Sequence, residues 1–466
     1  MEPSPKNKFS TSILYLLMGM LLLATGMVFG VIGGLQYVIQ GFLKPFLSFE
    51  KIRPLHVSSM VFWIILASVG SVTSFLPQHT GRKLYSGLLL KIQFIVFFIS
   101  VCLILGSYVF GIFGGREYWE FNPWFALPII AGWILFLINI MASIGSIKNQ
   151  PVYVWMWLTG TVFFLFTYLE SYLWIFPYFR NNVVNDMTIQ WKSYGSMVGS
   201  WNMLIYGCSI FLMTKISGNK DMSHSKTAFA LYFTGLFNLM FNWGHHIYTL
   251  PTYDFIKHIS YIVSMTELLI LARIIWLWKS SVSDARRNLH IASYRFVIAA
   301  DAWVFLTLIL AIIMSIPAIN VYTHGTHITI AHSMGATIGI NSFLLLAMFI
   351  DIHQDTFHGF RTSGNWFNRG FVIANISLFI FWISLIMAGL YKAQWQMSDA
   401  RTPFNVMMYQ LRPFFIVFVV SGSLFMVGMW MIIYPMITSL WTAMWSREIK
   451  KNDISPSGSS VRVFID

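Results

Sequence analysis

The chain has 466 residues, of which 57% are hydrophobic and only 10% charged, where a soluble domain carries about a quarter charged. No water-soluble core could hide so many apolar residues, so the sequence excludes a soluble globular protein. The net charge of +13 does not signal nucleic-acid binding, because the basic residues sit in loops between apolar runs, as membrane topology requires.

Twelve apolar runs follow one another: 12–40, 55–77, 87–111, 125–146, 152–178, 193–214, 227–250, 255–279, 293–317, 325–351, 367–392 and 412–443. Each is long enough to cross a hydrocarbon layer about 30 Å thick. The expected fold is all-α, a polytopic bundle of about twelve transmembrane helices. Residues 1–449 are expected to form one membrane domain and 450–466, with SPSGSS, a disordered cytoplasmic tail. The first run is too long for a signal-peptide core and is expected to stay as a helix. Cys102 and Cys208 lie inside apolar runs and make neither a disulfide framework nor a metal-binding pair. With the N-terminus inside, roughly 20 basic residues fall in inner loops and about 10 outside, which favours cytoplasmic termini.

Placed on these runs, four histidines share one depth. His56 opens the second run, His245 and His246 end the seventh, and His332 lies two turns into the tenth, all toward the outer face. A lone histidine in a span is often a packing residue. Four at one level fit an interior site better, since polar residues in lipid are costly and neutral imidazole is the commonest metal ligand. His332 and Met334 are two positions apart, hence about 200° apart around a helix, so one helix can ligate two haems. His56 can close the second axial bond of one of them, giving a six-coordinate electron-transfer haem beside a five-coordinate haem with an open position. The His245–His246 pair can hold a second metal facing that open position.

PLHVSSMVFWIILASVGSVTSFLP (54–77), NWGHHIYTLP (242–251), YTHGTHITIAHSMGATIG (322–339) and GREYWE (115–120) resemble, in order and spacing, segments of haem–copper oxidase subunit I. The resemblance is to its nitric oxide reductase branch, and it covers nearly the whole chain. It implies two haems, b-type, one low-spin on His56 and Met334 and one high-spin on His332. It implies a non-haem metal on His245 and His246, with the glutamate of the eighth run at Glu267. Glu117, in GREYWE, corresponds to a residue associated with calcium near the haem propionates. The resemblance further implies a bacterial inner-membrane location, a cytochrome c subunit or soluble cytochrome c as electron donor, and nitric oxide as substrate. The redox tyrosine of C-family oxidases, six positions before the histidine pair, is Leu239 here, which argues against oxygen reduction.

The pattern breaks at two places. The family's third non-haem-metal histidine falls on Tyr194 or Ser196 within WKSYGSMVGSWNML (191–204), and the two glutamates of that run fall near Val198 and Asn202. His245, His246 and Glu267 still make a two-histidine, one-carboxylate set, which suits iron better than copper; an empty site is the alternative. Met334 stands where the family has histidine; it ligates, raising the haem potential, or only packs. Glu267 is a ligand and proton donor, or a neutral hydrogen-bonded acid. Glu170 and Asp301 are relay candidates or packed acids, and His324 and His327 meet propionates or solvent. The leading reading is a nitric oxide reductase catalytic subunit. Behind it stand a nitric oxide dismutase-like enzyme, a non-catalytic gas-binding or electron-transfer haem protein and, last, an oxygen reductase.

Overall fold

The structure, a computed structural model, describes residues 10–263, 278, 282–356, 364–399 and 401–452. Among the described residues, ten helical segments are long and apolar enough to cross a membrane. They are α1 (Thr11–Val38), α2 (Phe49–Thr80), α3 (Gly87–Val109), α4 (Ala126–Ile144, continuing a 3-10 turn from Pro123), α5 (Val152–Glu170) and α6 (Val183–Ser217). After α7 (Lys226–Phe241) come α8 (Ile291–Ser315), a composite span of α9 (His327–Met334) and α10 (Phe343–Thr356), α11 (Asn365–Met397) and α12 (Arg412–Asn452).

The difference from twelve has a local cause. The seventh apolar run ends its α-helix at Phe241 and tightens into a 3-10 turn, Asn242–Ile247, leaving α7 with 16 residues. The eighth run, 255–279, is helical from 254 to 263 and, apart from residue 278, lies outside the described residues beyond that.

The apolar sequence produces helices because lipid offers backbone groups no partner, so every N–H and C=O must bond within its own segment. Buried hydroxyls obey the same rule by turning back onto their own helix: Ser68 donates to the Ile64 carbonyl at 2.7 Å and Thr161 to that of Trp157 at 2.8 Å. α2, α6 and the α9–α10 span are the inner helices, with 89%, 78% and 72% of their apolar windows buried, against 33% for α3. These inner helices carry His56, the vacated-ligand region and His332. Between α9 and α10 the chain widens into a π-helix, Gly335–Ser342, a form that clusters at functional sites.

One cross-link sets the depth of two of these helices. Trp63 of α2 donates its indole N–H to the Ser342 hydroxyl at 3.0 Å and meets the Phe349 ring edge-on at 5.3 Å. His56 lies seven residues before Trp63 and Met334 eight before Ser342, roughly 10–12 Å along each axis. The cross-link puts α2 in contact with the α9–α10 span that carries Met334.

Candidate functional site

His56 is half-buried on α2, and its Nδ1–H donates to the Gly26 carbonyl of α1 at 2.7 Å. That bond leaves Nε2 as the free donor and fixes the ring, the arrangement a metal-ligating histidine uses. A backbone carbonyl is available to it because α1 comes close. A Cβ at Gly30 would lie 2.8 Å from the His56 Cε1 atom, so only glycine leaves the ring its place.

His245 and His246 sit in the 3-10 turn, not on a regular α-helix. Adjacent α-helical residues diverge by about 100°, yet these rings lie with centroids 4.2 Å apart and planes tilted by 41°. The tightened turn brings them together. The His245 Nδ1–H donates to the Asn242 side-chain oxygen at 3.1 Å, again leaving Nε2 free. From the short helix Pro317–Thr323, Asn320 donates to the His245 carbonyl at 3.3 Å and to that of Met314 at 3.0 Å. This ties the turn to the segment leading into α9.

His246 packs its ring face to face on Trp191 of α6, at 4.6 Å and 8°, and its Nδ1 is buried with no hydrogen-bond partner. His324 stands edge-on to both, at 6.0 Å from Trp191 and 6.1 Å from His246. His332 and His324 both lie within electrostatic reach of His245. The His332 ring lies against the Thr307 backbone of α8, although its Nδ1 makes no hydrogen bond of good geometry. Four imidazoles from three chain segments thus converge. Trp191 escapes a search for ligands; its signal is the tryptophan that opens WKSYGSMVGSW, one turn before the vacated histidine position.

Tyr194, one of the two candidates for that position, is buried and turns its ring to Tyr118, edge-on at 5.4 Å. The other, Ser196, is buried and offers its carbonyl to the Ser200 hydroxyl at 2.7 Å. Asn202 accepts from Asn341 of the π-helix at 3.0 Å. Leu239 is buried on α7. Met334 is half-buried and packs against the main core. Glu267 lies outside the described residues. Among the described residues no three histidine, cysteine or acidic side chains are arranged to hold a metal.

The GREYWE segment forms a tight loop above α2 and α3. The Gly114 and Gly115 amides both donate to the Glu120 carbonyl at 3.0 Å, and a Cβ at Gly115 would fall 1.8 Å from the Trp119 carbonyl oxygen. Tyr118 adopts φ 70°, which costs a non-glycine residue about 1–3 kcal/mol. Arg53 of α2 bridges the two acids of this loop, pairing with Glu117 and, at 2.8 Å, with Glu120. Glu117, the residue expected near calcium, thus spends its charge on an arginine one turn before His56.

The donor chemistry of His56 and His245 fits metal ligation, each imidazole being held through one nitrogen with the other free. The pattern described as Cytochrome C and Quinol oxidase polypeptide I matches residues 10–424. A nitric oxide reductase subunit of Stutzerimonas stutzeri is 24% identical over 91% of this chain and 94% of its own. The cytochrome c oxidase subunit 1 homolog of Agrobacterium tumefaciens is 20% identical over 86% and 78%. In structure, a chain of a heme–copper terminal oxidase dimer superposes with a TM-score of 0.72 at 13% identity, covering 92% of this chain and 83% of that one. The chain is therefore a divergent subunit I of the haem–copper oxidase superfamily, a multi-pass membrane protein in a family of oxidoreductases.

Proposed function

We propose that the protein is the catalytic subunit of a bacterial inner-membrane nitric oxide reductase, which turns two NO, two electrons and two protons into N2O and water. The observation that carries this reading is the His245–His246 pair brought to one point within reach of His332, with Leu239 where the oxidases have a tyrosine. Bound haem and non-haem iron would supply redox change and gas binding. The chain's own residues do the rest. His56 and Met334 hold the electron-entry haem and His332 the second haem from the opposite side of the same helix. His245, His246 and Glu267 would hold the iron, while Glu117 is held by Arg53. Trp191 keeps the His246 plane fixed. A cytochrome c at the outer face supplies electrons, as family members receive theirs from cytochromes.

The test is N2O formation from NO with a reduced cytochrome c on purified, metal-quantified protein. We expect N2O, and its loss in Glu267→Ala with both haem spectra intact. Wild-type rates in that variant remove the carboxylate from the mechanism. Turnover without external electrons moves the protein to the dismutase reading, and two irons per chain with no turnover makes it a non-catalytic haem protein.

A further inference from the structure

We propose that Asn242 is a positioning residue for the non-haem metal: it holds His245 in the rotation and tautomer that present Nε2 to the ion, and the buried Ser260 holds Asn242 in turn. The proposal rests on the nitric oxide reductase reading and names what prepares one donor of that site before the metal arrives.

Local geometry brings the two residues together. The α7 helix closes at Phe241, and Asn242–Ile247 winds as a 3-10 turn. At three residues per turn, side chains at positions i and i+3 eclipse, so Asn242 stands in line with His245. On an α-helix three residues sweep about 300°, which would leave the pair about 60° out of line. The outcome is the 3.1 Å contact between His245 Nδ1 and the Asn242 side-chain oxygen.

Partners distant in the chain brace the turn. Gly244 lets the helical stretch 254–263 come close: a Cβ at this glycine would fall 2.9 Å from the Ser260 Cβ and 3.1 Å from the Ile256 carbonyl oxygen. At that approach the fully buried Ser260 donates its hydroxyl proton to the Asn242 main-chain carbonyl at 2.9 Å. On the other side Asn320 donates to the His245 carbonyl at 3.3 Å. Trp243 packs on α6, where a Cβ at Gly195 would fall 2.6 Å from its own Cβ. With the main chain fixed, what remains to His245 is rotation of its ring, and the Asn242 oxygen stops it.

An amide oxygen only accepts a hydrogen bond, and a neutral imidazole carries one N–H and one lone pair. With Nδ1 as the donor the lone pair lies on Nε2, where a metal can take it. His246 is held by other means, its ring lying on Trp191 and its buried Nδ1 having no hydrogen-bond partner. The two donors of the pair are therefore unlike, and loss of the Asn242 oxygen acts through His245.

The test uses the intact haem-loaded protein, stripped of non-haem metal by a chelator and titrated anaerobically with Fe(II), bound iron being counted at each free concentration. Removing the acceptor behind a metal-ligating histidine typically costs 10–100-fold in metal affinity. We expect a loss of that size in Asn242→Leu, with both haem spectra and the unfolding midpoint as in the wild type. Asn242→Asp, whose carboxylate can only accept, should bind Fe(II) at least as tightly as the wild type. Affinity within about twofold of wild type in Asn242→Leu overturns the proposal, as does an equal loss in Asn242→Asp, which would mean that shape and not the acceptor matters. A wild type that takes up no Fe(II) beyond its haems overturns it too. Should Asn242→Leu lose its haems through misfolding, Asn242→Asp decides, and a weaker affinity there sinks the role. Fe(II) binding that follows these expectations without any N2O formation defeats the reductase reading and leaves the role of Asn242 in place.

Discussion

At the scale of single residues the site depends on how imidazoles are held. His56 is oriented by a carbonyl of α1, and the neighbouring Gly30 admits the ring only because it has no side chain. Gly30→Ala should push the imidazole off its position. The low-spin haem signal should fall in visible spectra, with overpacking costing about 1–3 kcal/mol of stability. An unchanged spectrum would remove His56 as the ligand or show that α1 can retreat. Met334 is the second residue whose chemistry is exposed to test. Replacing its thioether by imidazole in Met334→His should lower the low-spin haem's potential in a redox titration. No change would mean that the methionine only packs. His56, His245, His246 and His332 were readable as site candidates from type and depth alone. Trp191 was not, because an indole in a membrane protein with 19 tryptophans carries no signal until its ring is seen against His246.

At the scale of elements, the helices are joined by polar contacts at both ends of the bundle. The fully buried Asp351 of α10 takes Lys215 of α6 at 2.7 Å, and the same ammonium reaches Asp355 at 2.5 Å. His290, at the start of α8, stands 3.6 Å from the other Asp351 oxygen. Removing one member of a buried pair leaves an uncompensated charge, at a cost of about 3–5 kcal/mol. Lys215→Met should therefore lower the thermal unfolding midpoint in detergent, and adding Asp351→Asn should restore much of the loss. An unshifted midpoint in the single variant would show that the pair does not hold these helices together. Helix existence was legible from apolar run length. The break at Phe241 was not, since an apolar run reads alike as α-helix or as α-helix followed by a 3-10 turn, and it is that turn which closes the distance between His245 and His246.

At the scale of the whole molecule, inner helices carry His56 and His332 and the turn after α7 carries the histidine pair, while α3 is largely exposed. Loss of the non-haem metal should then leave the bundle standing. A chelator is expected to strip about one iron per chain and end N2O formation, with both haems and the unfolding midpoint retained. A loss of haem together with that iron would mean that the three groups form one structural unit. By itself the sequence determined that the chain lives in a bilayer, that its fold is a helical bundle and which histidines are site candidates. Those conclusions depend on hydrophobicity and on distance along a helix axis, both local properties. Which way each ring faces, that Tyr194 turns to Tyr118, that Glu117 is taken by Arg53 and that Trp191 braces His246 were decided only in three dimensions. Each depends on a partner far away in the chain, and the rotation of one helix against another is set by packing that no single segment encodes.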